Sequence, residues 1–260
     1  MAKEKTEVAV KQDTAVATVG QGAWGSEGVD KSDFLIPKIL LMQGLSKFVA
    51  DEKAQMGDFV NSVTGEVIAG RGKPIEIIPL ISFKTWIKFE ETSQGKWEYR
   101  GQEPMTAANA HWELDGEENG LKVRRDRALN FYVLLASEAD RPDALPLLIS
   151  CRRTSYMAGK KLVTYFGQCQ MANQPPAAHS LPLEGKKVQN DKGTFYVLDV
   201  DAAKKKRVSE KQLAKAYEWY QTLKKGGVKV DDSDLTEAST ETVDVSVDVE
   251  FGKVTEASQF

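Results

Sequence analysis

The 260-residue sequence has no apolar run near the about 18 residues that cross a bilayer, and its N-terminus, MAKEKTEVAV, lacks the apolar core of a secretory signal; this excludes a helical membrane protein and makes the cytoplasm the expected location. The two cysteines, Cys151 and Cys169, are too few for a disulfide-stapled scaffold and are expected as reduced, buried thiols. The net charge of −3 conceals a segregation: residues 231–260 hold nine acids and one base, which is −8, so residues 1–230 carry about +5.

Residues 1–30 lack a sustained period and include the glycine-rich run GQGAWGSEG, so an unfolded arm is expected, with Trp24 as a stray or docking aromatic. A folded region is expected over residues 31–227. Asp33 to Gln43 is apolar enough for the core, although Pro37 bars it from a central strand, and Asn61 to Ile68 predicts a small hairpin turning at Thr64 and Gly65. Pro74 to Glu90 is the longest strand-like piece. Ile75, Ile77, Pro79, Ile81 and Phe83 share one parity, predicting a core face, while Lys84, Trp86 and Lys88 share the other. An aromatic between cations can stack a base and neutralise phosphates; Trp86 can equally cover a barrel end.

Gly95 to Gly120, with Trp97, Tyr99, His111 and Trp112 among polar residues, predicts an inserted hairpin and loop. Leu121 to Leu135 predicts a strand that starts with Arg124, Arg125 and Arg127 and turns Phe131, Val133 and Leu135 inward. A short apolar run from Leu147 then ends in Arg152 and Arg153, so five arginines are expected along one groove. From there the period changes to that of a helix, capped by Thr154 or Ser155, with Met157, Leu162, Val163, Phe166 and Cys169 on one face and Lys160 and Lys161 elsewhere.

After the break NQPPA, His179 to Leu183 and Gly193 to Val200 predict two strands joined by a polar loop, EGKKVQNDKG, that carries Lys186, Lys187 and Lys192. Residues 209–225 predict a helix: Ser209 and Gln212 form a capping box, Leu213, Ala216, Tyr217, Tyr220 and Leu223 make its apolar stripe, and Gly226 and Gly227 end it. Residues 228–260 read as an acidic, disordered tail that stops on Phe260. The expected fold is mainly β with helices (α+β): an OB-like five-stranded barrel with a helix between strands three and four, an inserted hairpin and a C-terminal helix.

Motifs of catalysis are missing. There is no nucleophile elbow, P-loop, dinucleotide fingerprint or HExxH, and Cys151, Cys169, His111 and His179 lack the close spacing of a zinc site. The expectation is therefore a binding protein, not an enzyme, with no cofactor and no metal. Its candidate nucleic-acid contacts are Lys84, Trp86, Lys88, Arg124, Arg125, Arg127, Arg152, Arg153, Tyr156, Lys160, Lys161, Lys186 and Lys187.

The strand PLLISCRR, the following helix TSYMAGKKLVTYFGQ, the late pair around GTFYVLDV and the acidic terminus ending in Phe260 together resemble the phage single-stranded DNA-binding proteins of the T7 type. That resemblance implies an OB-fold body that binds single-stranded DNA without strong sequence preference in phage replication or recombination. It also implies a tail that competes with DNA and recruits replication or recombination proteins, through Asp244, Asp248, Glu250, Phe251 and Phe260. The last five residues, EASQF, depart from the usual tail in holding only Glu256 beside the aromatic. Homo-oligomers and the absence of a membrane partner fit the same expectation. Two alternatives stand beside it: a single-strand annealing or recombination protein, and a phage protein that binds a host protein such as RNA polymerase through Trp24, Trp97 and Trp112.

Overall fold

A computed structural model describes residues 35–191, 193–225 and 229–230. The expected N-terminal arm with Trp24, Lys192, and the tail residues Asp244, Asp248, Glu250, Phe251 and Phe260 lie outside the described residues. None of the described helices is long and apolar enough to cross a membrane.

The chain is mainly β with a few helices. Short strands β1 (Leu35–Ile36) and β2 (Ile39–Leu41) lead through helix α1 (Lys47–Ala50) to the hairpin β3 (Phe59–Asn61) and β4 (Val67–Ala69). The long strand β5 (Ile75–Glu91) follows, then β6 (Trp97–Pro104), β7 (Asp115–Glu118), β8 (Leu121–Leu135) and β9 (Leu147–Cys151). Helix α2 (Tyr156–Met171) separates these from β10 (His179–Asn190) and β11 (Gly193–Val200); β12 (Lys206–Arg207), helix α3 (Glu210–Lys224) and β13 (Lys229–Val230) complete the described fold. The main sheet runs β11-β10-β5-β8-β7, with β9 added to β8, β6 to the far end of β5, and β12 to β10.

Two strands, β5 and β8, form the spine. They pair antiparallel from Ile77↔Leu135 to Glu90↔Val123, with one extra residue, Leu80, between the pairs Pro79↔Val133 and Ile81↔Tyr132. That bulge corrects the sequence reading of β5. Alternation predicts a single parity for Ile75, Ile77, Ile81 and Phe83, but one inserted residue exchanges the two sides of the strand beyond it. Ile75 and Ile77 enter the core beneath α2 with Phe131, Ile149 and Leu181, whereas Ile81 and Phe83 join Ile78, Leu80 and Leu134 beneath α3. Pro79 is tolerated because it stands beside the bulge, between the part of β5 paired to β10 (Ile75–Ile77) and the part paired to β6 (Thr85–Glu91). The two sides of the ribbon are called here the α2 side and the α3 side.

Helix α2 sits close on the sheet because Gly159 permits it: a Cβ there would come within 2.7 Å of Cys151 Cβ and 3.0 Å of Leu129 Cβ. The buried face is therefore Ala158, Leu162, Tyr165 and Cys169, while the expected core residues Met157 and Val163 are exposed, Met157 by 60%. Ser155 is at the N-cap position, yet its hydroxyl accepts from Leu198 N–H of β11 at 3.2 Å instead of capping the helix. Both cysteines are free and buried, and burial pushes the Cys151 thiol up to about 12. Helix α3 carries the capping box its sequence predicts, with Ser209 Oγ accepting from Gln212 N–H and Gln212 Oε1 from Ser209 N–H.

The strands make open sheets, not the closed barrel expected from sequence. Strands β9 and β11 do not pair. The segment from Pro37 to Gln43 lies between them: Leu148 N–H of β9 donates to Pro37 O at 2.9 Å, and the Gln43 side-chain amide both accepts from Tyr196 N–H (3.0 Å) and donates to Tyr196 O (2.9 Å) on β11. One glutamine thus stands in for a strand neighbour along that edge. A second correction concerns the late hairpin, where Glu184 to Asn190 is strand and not loop, because Leu183 to Asn190 pair residue by residue with Gly193 to Val200. Cross-strand pairing overrides the loop-like composition there.

Candidate functional site

Beyond the reach of the two helices, β5 and β8 continue as a ribbon flanked by β6 and β7, and strand alternation divides its side chains cleanly. Lys84, Trp86 and Lys88 on β5 share the α2 side with their neighbours across the strands, Arg127 and Arg125, through the pairs Trp86↔Arg127 and Lys88↔Arg125. Phe83, Thr85, Ile87 and Phe89 share the α3 side with Tyr132, Asn130, Asp126 and Arg124. The five arginines therefore do not line one groove. Arg124 and Arg125 are adjacent on a strand and project oppositely.

On the α2 side the expected stacking residue is closed off. Trp86 is 1% exposed, its Nε1–H donates to Asn109 O at 3.1 Å, and it packs against Trp112, with Arg127 lying over its ring at 5.0 Å. A base cannot reach that indole. The cations around it are matched by carboxylates. Lys88 Nζ is 2.9 Å from Glu90 and 2.6 Å from Glu118, buried Arg125 also pairs with Glu118 while stacking on Trp112 at 4.8 Å, and Arg100 bridges Glu90 and Glu98 at 2.9 Å each. The Lys88 hydrogen bonds hold both glutamates below the usual carboxylate range, and the Glu118 and Glu90 carboxylates raise Lys88 in return. Three cations face three carboxylates in this network, which leaves little field for a polyanion. Lys84 and Arg127 remain exposed beside it.

The α3 side is different. Phe83 and Tyr132 lie together with ring centroids 5.1 Å apart, both half-buried at the edge of the α3 core. Farther out, Trp97 and Tyr99 of β6, also half-buried, cover Ile87, Phe89 and Ala128, and the Arg124 guanidinium lies 4.9 Å from the Trp97 ring and 5.4 Å from that of Phe89. Between the two aromatic pairs, buried Asn130 donates to Thr85 Oγ1 at 2.9 Å, and Thr85 donates to Gln102 at 3.3 Å. Arg152 and Arg153, just past the end of β9, reach this side too: Asp126 Oδ2 accepts from Arg153 Nε at 2.7 Å and stands 3.7 Å from Arg152. Arg152 and Arg153 thus both approach Asp126, while Arg124 stands across from Asp115 of β7 and Lys122 pairs with Glu91 at 3.0 Å on the same side. The sequence marks Arg124, Arg152 and Arg153 but not Phe83 or Tyr132, which simple alternation assigns to the core or leaves uncounted.

The remaining candidates stand elsewhere. Lys161 and Lys186 converge on Asp199, with Lys161 at 2.5 Å. Partial burial acts to raise the Asp199 carboxyl, and the two lysine hydrogen bonds outweigh it, so its pKa is lowered. Tyr156 is half-buried under Lys160, whose Nζ is 5.7 Å from the ring, and Lys187 is exposed on β10. Among the described residues no group of His, Cys, Asp and Glu side chains is arranged to hold a metal ion.

No curated protein and no solved structure matches the chain. A family model does: that of the Pam3 phage gp34-like protein, over residues 4–229. The matched region takes in every strand and helix described above, up to the first residue of β13, and stops short of the acidic tail. This protein is accordingly a member of the bacteriophage family of Pam3 phage gp34-like proteins.

Proposed function

We propose that this phage protein binds single-stranded DNA, without strong sequence preference, across the α3 side of the β5–β8 ribbon. The observation that carries the proposal is the sharing of one sheet side by the half-buried rings of Phe83, Tyr132, Trp97 and Tyr99 and the guanidinium groups of Arg124, Arg152 and Arg153. Rings offer faces that only unpaired bases can meet, and cations follow the phosphates. The order of the long strands adds support. β5, β8 and β9, then a helix, then β10 and β11, with β10 returning to β5, follows the order of strands and helix in an OB fold without the pairing that closes its barrel, and the second and third strands of that fold carry the oligonucleotide face. Here those are β8 and β9.

The acidic tail acts as a tethered competitor and as a hook for replication or recombination proteins. Its nine acids are tethered to the mildly basic body, which gives them a high effective concentration against weakly bound ligand. No chemical step is assigned to the protein. A tryptophan fluorescence titration with oligo-dT at two salt concentrations, beside a duplex of equal length, is the direct test. Quenching by the single strand, weakened by salt and poor with the duplex, is the expected result; no response to the single strand at low salt overturns the proposal.

A further inference from the structure

The turn from β9 into α2 is built around a residue in an unfavourable backbone conformation. Arg153 has φ +47°, in the left-handed region where a side chain is crowded and glycine or asparagine is at ease. Such a residue persists where its side chain is needed, and this side chain has a defined place. Its Nε–H donates to Asp126 Oδ2 at 2.7 Å, and Asp126, only 9% exposed, also stands 3.7 Å from Arg152. Two neighbouring guanidinium groups are thus drawn to one nearly buried carboxylate at the margin of the aromatic strip, with the Arg153 side chain still 42% exposed.

We infer that Arg152 and Arg153, oriented by Asp126, form a fixed clamp for one phosphodiester group of a bound strand. The inference rests on the DNA-binding proposal and adds to it a point at which the backbone is gripped, beside rings that hold the bases. Asp126 is a positioning residue. It occupies one edge of the Arg153 guanidinium and so aims the remaining N–H groups outward, where a bidentate contact to phosphate oxygens is available. The left-handed turn is what lets Arg153 reach back across the strand to meet Asp126 while Arg152, extended with φ −132° and ψ 162°, stays in line with β9.

Arg153→Gly tests this directly, because glycine suits the backbone and removes only the clamp. The fold is expected to be kept, with a thermal unfolding midpoint no lower than that of the wild type, while affinity for oligo-dT falls roughly tenfold or more and the slope of log K against log salt shrinks by about 0.7, one single-strand phosphate contact. Asp126→Asn, which keeps the shape but releases the guanidinium groups, is expected to lower affinity despite adding net positive charge, an outcome that bulk electrostatics would reverse. Arg71→Ala, an exposed arginine between β4 and β5, controls for loss of charge alone and is expected to change affinity less than twofold. Wild-type binding with Arg153→Gly unchanged, or with Asp126→Asn tighter, overturns the clamp and leaves the DNA-binding proposal standing. Absence of wild-type binding overturns both.

Discussion

The two sides of the β5–β8 ribbon receive similar cations from the same strands and use them in opposite ways. On the α2 side Lys88, Arg100 and Arg125 meet Glu90, Glu98 and Glu118, and the best-placed indole, Trp86, is closed over. On the α3 side Arg152 and Arg153 share the carboxylate of Asp126, Arg124 lies over Trp97 and Phe89, and four rings stay partly open. Exposed ion pairs add little stability, about 0 to 1 kcal/mol each, but they cancel the field that a polyanion would feel. Counting arginines along a strand therefore says less about a phosphate surface than counting the carboxylates opposite them.

The sharpest way to break the comparison is to exchange an aromatic from each side. Trp86→Ala removes a fully buried ring with a satisfied Nε1–H and should destabilise the fold by about 3 to 5 kcal/mol in urea unfolding, while the folded protein keeps its affinity for single strands. Trp97→Ala and Tyr132→Ala reverse the pattern. Each should cost about 1 to 3 kcal/mol of binding, read by fluorescence anisotropy with labelled oligo-dT, at a smaller cost in stability because both rings are only half-buried. If Trp86→Ala instead weakened binding in the folded protein, the roles of the two sides would be exchanged.

The cations give a finer contrast. Arg152→Ala should flatten the salt dependence of oligo-dT binding by about 0.7 in the log–log slope, whereas Lys88→Ala, whose charge is already met by Glu90 and Glu118, should leave it unchanged. An equal change in both would mean that the ribbon acts through its overall charge and that neither side is privileged.

Local signals made much of the frame legible. The capping box of Ser209 and Gln212, the extent of the strand from Leu121 to Leu135 and the turn at Thr64 and Gly65 depend on neighbours a few residues away, and all appear as the sequence indicates. What the sequence hides is set across strands. The extra residue at Leu80 shows only as a register shift against β8, yet it moves Ile81 and Phe83 to the other side of the sheet. The presence of Pro79 inside an apolar run is the one local hint of it. Ser155 bonds β11 rather than its own helix because Leu198 N–H stands across from it, and Glu184 to Asn190 become strand because β11 is there to pair. The opposite projection of Arg124 and Arg125, by contrast, follows from alternation alone.

Acid titration offers the gentlest probe of the neutralised side. Glu90 and Glu118 both have pKa values lowered from the ordinary 4.5, chiefly by hydrogen bonds from Lys88. A carboxyl depressed in the folded state contributes stability that is present above its unfolded pKa and is lost as pH falls through the lower folded value. Lys88 cannot contribute to the same window, because its pKa is raised from 10.5 and its share is lost only when pH climbs past that raised value. Glu118→Gln keeps the shape of the site but cannot titrate. Urea midpoints followed from roughly pH 5 down to pH 3 should therefore fall less steeply for Glu118→Gln than for the wild type, with the two converging at the acid end. The difference should be small, since Glu118 is more than a third exposed and solvent screens its pairs. Parallel curves would mean that the Lys88 network contributes nothing in the folded state beyond what the unfolded chain retains, and the α2 side would then be neutral without being ordered by its charges.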